Sequence, residues 1–147
     1  MSDIAPPSTT LLFRVEASLA GTAAFIVQDG PAGSRLVAAV SSGRVSGPRL
    51  QGNLMPGISG DWVTIRPDRS WSLDVRAAIM TDDGANVLYS YNGVATPGDG
   101  GRMRIRGAPR FETGDDRYTW LNNVQAVLIG EADPRSRTAL YDIYSLD

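Results

Sequence analysis

The stretch WSLDVRAAIMTDDGANVLYSYNG, residues 71–93, decides the fold. Trp71, Leu73, Val75, Ala77 and Ile79 alternate with Ser72, Asp74, Arg76 and Ala78, the pattern of an extended strand whose successive side chains point to opposite faces. DDGAN, residues 82–86, then supplies turn chemistry: aspartates to cap the turn backbone and Gly84 for a positive φ. VLYSYNG returns with the same period of two, so the whole stretch reads as a hairpin. The pattern recurs along the chain. LLFRVEASL sets Leu11, Phe13, Val15, Ala17 and Leu19 against Leu12, Arg14, Glu16 and Ser18. DWVTIRP sets Asp61, Val63 and Ile65 against Trp62, Thr64 and Arg66, and RMRIRG, YTWLNNVQAVLIG and ALYDIYSL behave alike.

PDRS, TPGDGG and EADPRSRT punctuate these runs, and 16 glycines and nine prolines suit that many turns. In TAAFIVQDGPAGSRLVAAV, residues 23–27 read as a strand or a loose edge. Residues 35–40 read as a strand, with a helix over 31–40 as the alternative. About eight to ten short strands without helical periodicity predict a single all-β domain, an antiparallel barrel or sandwich. A closed barrel of about eight strands has no exposed edges and holds either its own side chains or one small ligand. Residues 1–10 read as a polar, frayed leader and residues 11–147 as the barrel domain.

The 147 residues carry a net charge of -2, and 42% of them are hydrophobic. That balance fits one soluble globule and gives no basic excess for nucleic acid. No apolar stretch is long enough for a membrane helix, and the first ten residues lack the features of a signal peptide. With no cysteine to cross-link, a cytoplasmic setting is expected. The chain has no cysteine and no histidine, and its 14 basic residues are all arginine. Thiol nucleophiles, imidazole shuttles, Ser-His-Asp triads, the common zinc sites and lysine Schiff bases are thereby excluded. Acid–base work falls to Asp, Glu, Tyr or water held by them.

Two longer segments carry a resemblance. GPRL with Gly52 (Gly47–Leu50), Asp61–Trp62, Arg66–Asp68, Leu73–Asp74 with Arg76, and TDDGA at 81–85 form the first. PRFETG at 109–114, Tyr118 and WLN at 120–122 form the second. As an ordered set they resemble the bacterial and fungal family known as domain of unknown function 3237. The resemblance implies a compact antiparallel β-barrel with an internal cavity and implies little about chemistry. Arg69 departs from the family's usual glycine after RPD, and the link between YNGVA and MRIRGAPRF is shorter than the family pattern.

The candidate residues follow from chemistry and from these motifs. Asp74 and Arg76 form either a solvated pair, if Leu73 and Val75 face the interior, or a carboxylate held ionised beside an arginine in a cavity. Tyr118, Trp120 and Asn122 recur at period two, as a core with a satisfied amide or as a wall that stacks on a cyclic ligand. Glu112, with Phe111 beside it, is a candidate base. Arg49, Arg66 and Arg76 are expected to pair with Asp61, Asp74 or Glu112, leaving one cation for a substrate oxygen. Asp74, Arg76, Glu112 and Tyr118 are therefore the catalytic candidates. Arg49, Asp61, Trp62, Arg66, Tyr91, Phe111, Trp120 and Asn122 are the substrate-binding candidates. No loop offers enough regularly spaced oxygens for a metal, and no cofactor fingerprint is present. The expected function is a cofactor-independent enzyme for a small cyclic or aromatic carbonyl or hydroxyl metabolite, performing isomerisation, cyclisation or lyase and dehydration chemistry. The alternative is a non-catalytic carrier barrel. Its partners are the small molecule and a second copy of the chain through strand edges, with neither nucleic acid nor membrane.

Overall fold

A computed structural model describes residues 3–20 and 25–147. Eleven strands account for most of them. They are β1 (Thr9–Leu19), β2 (Phe25–Gly30), β3 (Gly33–Ser46), β4 (Gln51–Leu54), β5 (Gly60–Ile65) and β6 (Trp71–Thr81), then β7 (Asn86–Pro97), β8 (Met103–Gly107), β9 (Arg110–Glu112), β10 (Ala126–Asp133) and β11 (Thr138–Leu146). All named pairings are antiparallel. Following the ladders gives the ring β6-β5-β3-β1-β11-β10-β8-β7, and β7 pairs back onto β6. Of the barrel and the sandwich that the alternation leaves open, the chain forms the closed eight-stranded antiparallel β-barrel that the resemblance implies. The remaining strands lengthen it: β4 follows β5 in the gap between β3 and β6, and β9 extends β8 along β7.

The 71–93 hairpin is the longest uninterrupted ladder, running from Trp71 opposite Ala95 to Met80 opposite Asn86. Its turn is tied by the Thr81 amide on the Ala85 carbonyl at 2.9 Å, and Gly84 takes φ 90°. The Thr81 hydroxyl donates to Asp83 and accepts from the Ala85 amide, so these groups stabilise the turn locally.

Strand β3 spans residues 33–46 without helix, because its first half is bonded to β2 and β5. Of the 23–27 segment, Phe25 onward belongs to β2, while residues 23 and 24 lie outside the described residues. Leu12 is buried beside Phe13 although the alternation sets them on opposite faces. A shift in the β1–β11 register between Leu11 and Phe13 turns both inward.

The interior is filled at one end and hollow at the other. Phe13, Leu50, Ile79, Val87, Leu121, Leu128 and Ile143 are fully buried in the filled half. There Phe13 meets Phe111 edge-on at 5.8 Å between ring centres, and Tyr89 closes the aromatic cluster. A 3₁₀ helix, Thr119–Asn123, caps this end and drives Leu121 inward. The period of two through Tyr118, Trp120 and Asn122 is thus not that of a strand. Tyr118, Leu121 and Val124 each donate their amide to a carbonyl three residues back, which coils the chain instead.

Arg69, where the family pattern has glycine, sits at φ 70°, in the left-handed region that costs a side-chain-bearing residue about 1–2 kcal/mol. Arg69→Gly relieves that strain and gives back part of it as unfolded-chain entropy. The expected result is a gain of roughly 0.5–1 kcal/mol, a rise of about 1–4 °C in Tm by calorimetry.

Candidate functional site

The hollow half forms a cavity of about 480 Å³. That is within the roughly 300–1,000 Å³ typical of small-molecule sites. The alternation that builds the barrel also lines it. Leu73, Val75 and Ala77 project inward from β6, Met103 and Ile105 from β8, and Ala17 from β1. Phe25, Leu36, Trp71 and Pro134 stand around the mouth with Asp133 and Arg137. The walls are overwhelmingly apolar.

Besides Asp133 and Arg137, the polar side chains on the lining are Asp61 and three tyrosines. Asp61 on β5 is opposite Val75 on β6, and Val75 is opposite Tyr91 on β7, so one row across three strands carries a carboxyl, an isopropyl and a phenol. Tyr91 meets Tyr141 of β11 edge-on at 6.2 Å. The Tyr141 and Tyr89 hydroxyls are bonded to each other, and the three tyrosines are buried. Gly107 makes this arrangement possible. A Cβ there would lie 2.8 Å from Cδ2 of Tyr91, so the ring occupies the place of the missing side chain.

Asp61 faces this layer without a cation beside it. Its Oδ1 accepts the Asp74 backbone amide at 3.0 Å. Burial pushes its carboxyl up to about 6; the Asp74 amide opposes that rise, and the Asp74 charge adds to it. Burial also raises Tyr89, Tyr91 and Tyr141, which keeps all three hydroxyls protonated across the neutral range. The set is one carboxyl able to exchange a proton near neutrality, beside phenols that donate hydrogen bonds but do not ionise. Such a set can accept a proton from a ligand and return it elsewhere.

Among the residues singled out from sequence, Asp61 and Tyr91 line the cavity, and the others lie elsewhere. Leu73 and Val75 face inward, so Asp74 and Arg76 project from the outer face, half-buried and exposed respectively. Asp74 reaches the site through its backbone amide alone. Glu112 is exposed on β9, and Trp62 and Arg66 are exposed as well. Phe111 belongs to the filled core. The remaining four sit at the closed end. Tyr118 donates to Asp83 at 2.8 Å, Arg49 lies 3.7 Å above the Trp120 ring, and Asn122 bonds the Thr113 amide and carbonyl. Tyr89 and Tyr141 were not singled out. Their signal was phase: Tyr89 keeps step with Val87 and Tyr91, and Tyr141 with Ile143.

Among the described residues, no group of three or more acidic, histidine or cysteine side chains is placed to hold a metal ion. No helix there is long and apolar enough to cross a membrane.

The fold and site together define a closed antiparallel β-barrel with a largely apolar cavity and one half-buried carboxyl on its wall. The chain belongs to the family described as Protein of unknown function (DUF3237), which matches residues 7–146. A UPF0311 protein of Clostridium acetobutylicum is 33% identical over 111 residues, 67% of this chain and 70% of the relative. The crystal structure of a protein with unknown function from the same organism superposes with a TM-score of 0.86 at 26% identity, covering 99% of this chain and all of the other. The hydroalkoxylation enzyme phnH of Penicillium herquei is 30% identical over 121 residues, 82% of this chain and 72% of that protein.

Burial of Asp61 has a measurable consequence. Its carboxyl is raised in the folded chain above its ordinary value of 3.8, so its favourable contribution is complete below about pH 4 and is lost as pH rises through about 6. Asp61→Asn keeps an oxygen for the Asp74 amide and removes the charge. The variant should exceed the parent in stability by on the order of 2–3 kcal/mol near pH 7.5 and match it near pH 4, read from urea unfolding at both values.

Proposed function

We propose that the protein is a cofactor-independent acid–base catalyst for a small, uncharged, largely apolar metabolite bearing a hydroxyl or carbonyl group, with Asp61 as proton carrier. The observation that carries this reading is a half-buried carboxyl on the wall of an apolar cavity, raised by desolvation and with no cationic partner among the described residues. A carrier gains nothing from such a group, because an unpaired buried charge lowers stability and does not improve the fit of an apolar ligand. An enzyme gains a base whose protonation changes near working pH.

The named activity of the Penicillium herquei relative supports a specific form of this chemistry. Hydroalkoxylation adds an alcohol across a carbon–carbon double bond. The Asp61 carboxylate takes the substrate's hydroxyl proton as the oxygen bonds to one alkene carbon, and the π pair then takes a proton from the Asp61 carboxyl at the other carbon. One O–H bond and one π bond are lost, one C–O and one C–H bond form, and the carboxylate is regenerated. The balance needs no redox partner. When both groups belong to one molecule the outcome is a cyclisation, and its reverse is lyase chemistry. The apolar walls hold the reacting ends together and exclude water that would add in place of the alcohol.

Turnover of an alkenyl phenol, followed by chromatography of the cyclic ether, tests the reading. Asp61→Asn should lower kcat/KM by about 10²–10⁴, the usual scale for a lost general base. In the parent, kcat/KM should climb with pH and level off above about 6, where Asp61 is ionised. Unchanged turnover in the Asp61→Asn variant would remove Asp61 from the mechanism.

A further inference from the structure

The cavity floor leaves hydrogen-bonding capacity that the protein does not use. Two hydroxyls bonded to each other consume one hydrogen, so the Tyr89–Tyr141 pair keeps one O–H to donate. The Tyr91 hydroxyl, on a residue 6% exposed, takes no partner among the described residues. Asp61 has one oxygen on the Asp74 amide and its other oxygen without a donor. None of these atoms is sealed off as a buried, unpartnered group, so they meet the cavity space itself. Buried polar groups require partners, and the partner here has to come from what occupies the cavity.

The pattern specifies an occupant. Phenol donors and a carboxylate acceptor line one cavity, with Tyr91 and Tyr141 in electrostatic reach of Asp61. From this we infer that the floor is a two-point site for a neutral hydroxy-ketone: the Tyr89–Tyr141 pair donates to its carbonyl oxygen, and the free oxygen of Asp61 accepts its hydroxyl hydrogen. Tyr91, seated over Gly107 and edge-on to Tyr141, adds ring surface to the same site. The inference deepens the reading of the cavity as a substrate site and fixes which end of the molecule enters first. It also excludes carboxylates and phosphates, because Arg137 and Asp133 stand at the mouth and no arginine lines the floor. An anion carried to that depth would meet Asp61 with no positive charge to offset it.

The probes are hydroxy-1-tetralone regioisomers, with the matching hydroxytetralins, which lack the carbonyl, and unsubstituted 1-tetralone, which lacks the hydroxyl. Binding is measured by calorimetry. On the parent protein, the best hydroxytetralone should bind about tenfold more tightly than either single-group analogue, one good hydrogen bond's worth in each case. In the double variant Tyr89→Phe, Tyr141→Phe, the advantage over the hydroxytetralin should vanish while hydroxytetralin affinity is kept. Removing both members of a buried bonded pair is close to neutral for folding, unlike removing one, so the double variant is the informative one. Equal binding of the three probe types to the parent, or a carbonyl preference that survives in the double variant, would overturn the inference. So would failure of every hydroxytetralone to bind. These measurements require no turnover. Loss of the two-point preference with Asp61-dependent catalysis intact would refute this site alone, and the reverse outcome would refute only the catalytic reading.

Discussion

The pairing of β7 with both β6 and β8 closes the sheet into a ring, and the remaining features of the molecule depend on that closure. A ring of eight strands has an interior slightly larger than its own side chains need. Here the surplus is not spread evenly. Aromatic and long aliphatic residues pack one half, whereas alanine, valine and glycine line much of the other. The 3₁₀ cap and the Asp83–Tyr118 contact hold the packed end shut, so the unfilled space has a floor. The packed half holds the fully buried aromatic and aliphatic side chains, and the hollow half is bordered largely by small ones.

Asp61 sits where those two halves meet. An ionised carboxyl in that position opposes folding, and a neutral asparagine would suit the packing better. Its backbone is fixed by ladders on both sides, to Ala38 of β3 and to Val75 of β6, and one carboxyl oxygen is held on the Asp74 amide. The barrel therefore supplies what a proton-transfer site requires: a group held in place, dry surroundings and hydroxyl neighbours that stay protonated.

Much of this was legible in the residues, and the limits are instructive. The alternation in DWVTIRP already put Asp61 on the side of Val63, and that in VLYSYNG already grouped Tyr91 with Tyr89. Period two assigns a residue to a face but does not say how far along the barrel it lies. Phe111 and Tyr91 both face inward, yet one is in solid core and the other borders open space. Motif density was a poor guide to the cavity. PRFETGDDRYTWLNN is rich in chemistry-bearing side chains, but Asp115 and Thr113 fold it back on itself at the closed end. A strand pattern cannot foresee that coil, which depends on local amide partners. The register shift at Leu11 and Phe13 was equally invisible, since a bulge changes pairing without altering composition.

Among the described residues, Phe25, Leu36, Trp71 and Pro134 border the cavity at the end away from the packed half. A space of about 480 Å³ matches the bulk of a compact molecule, or the protruding end of something larger, and is too short for an extended polymer.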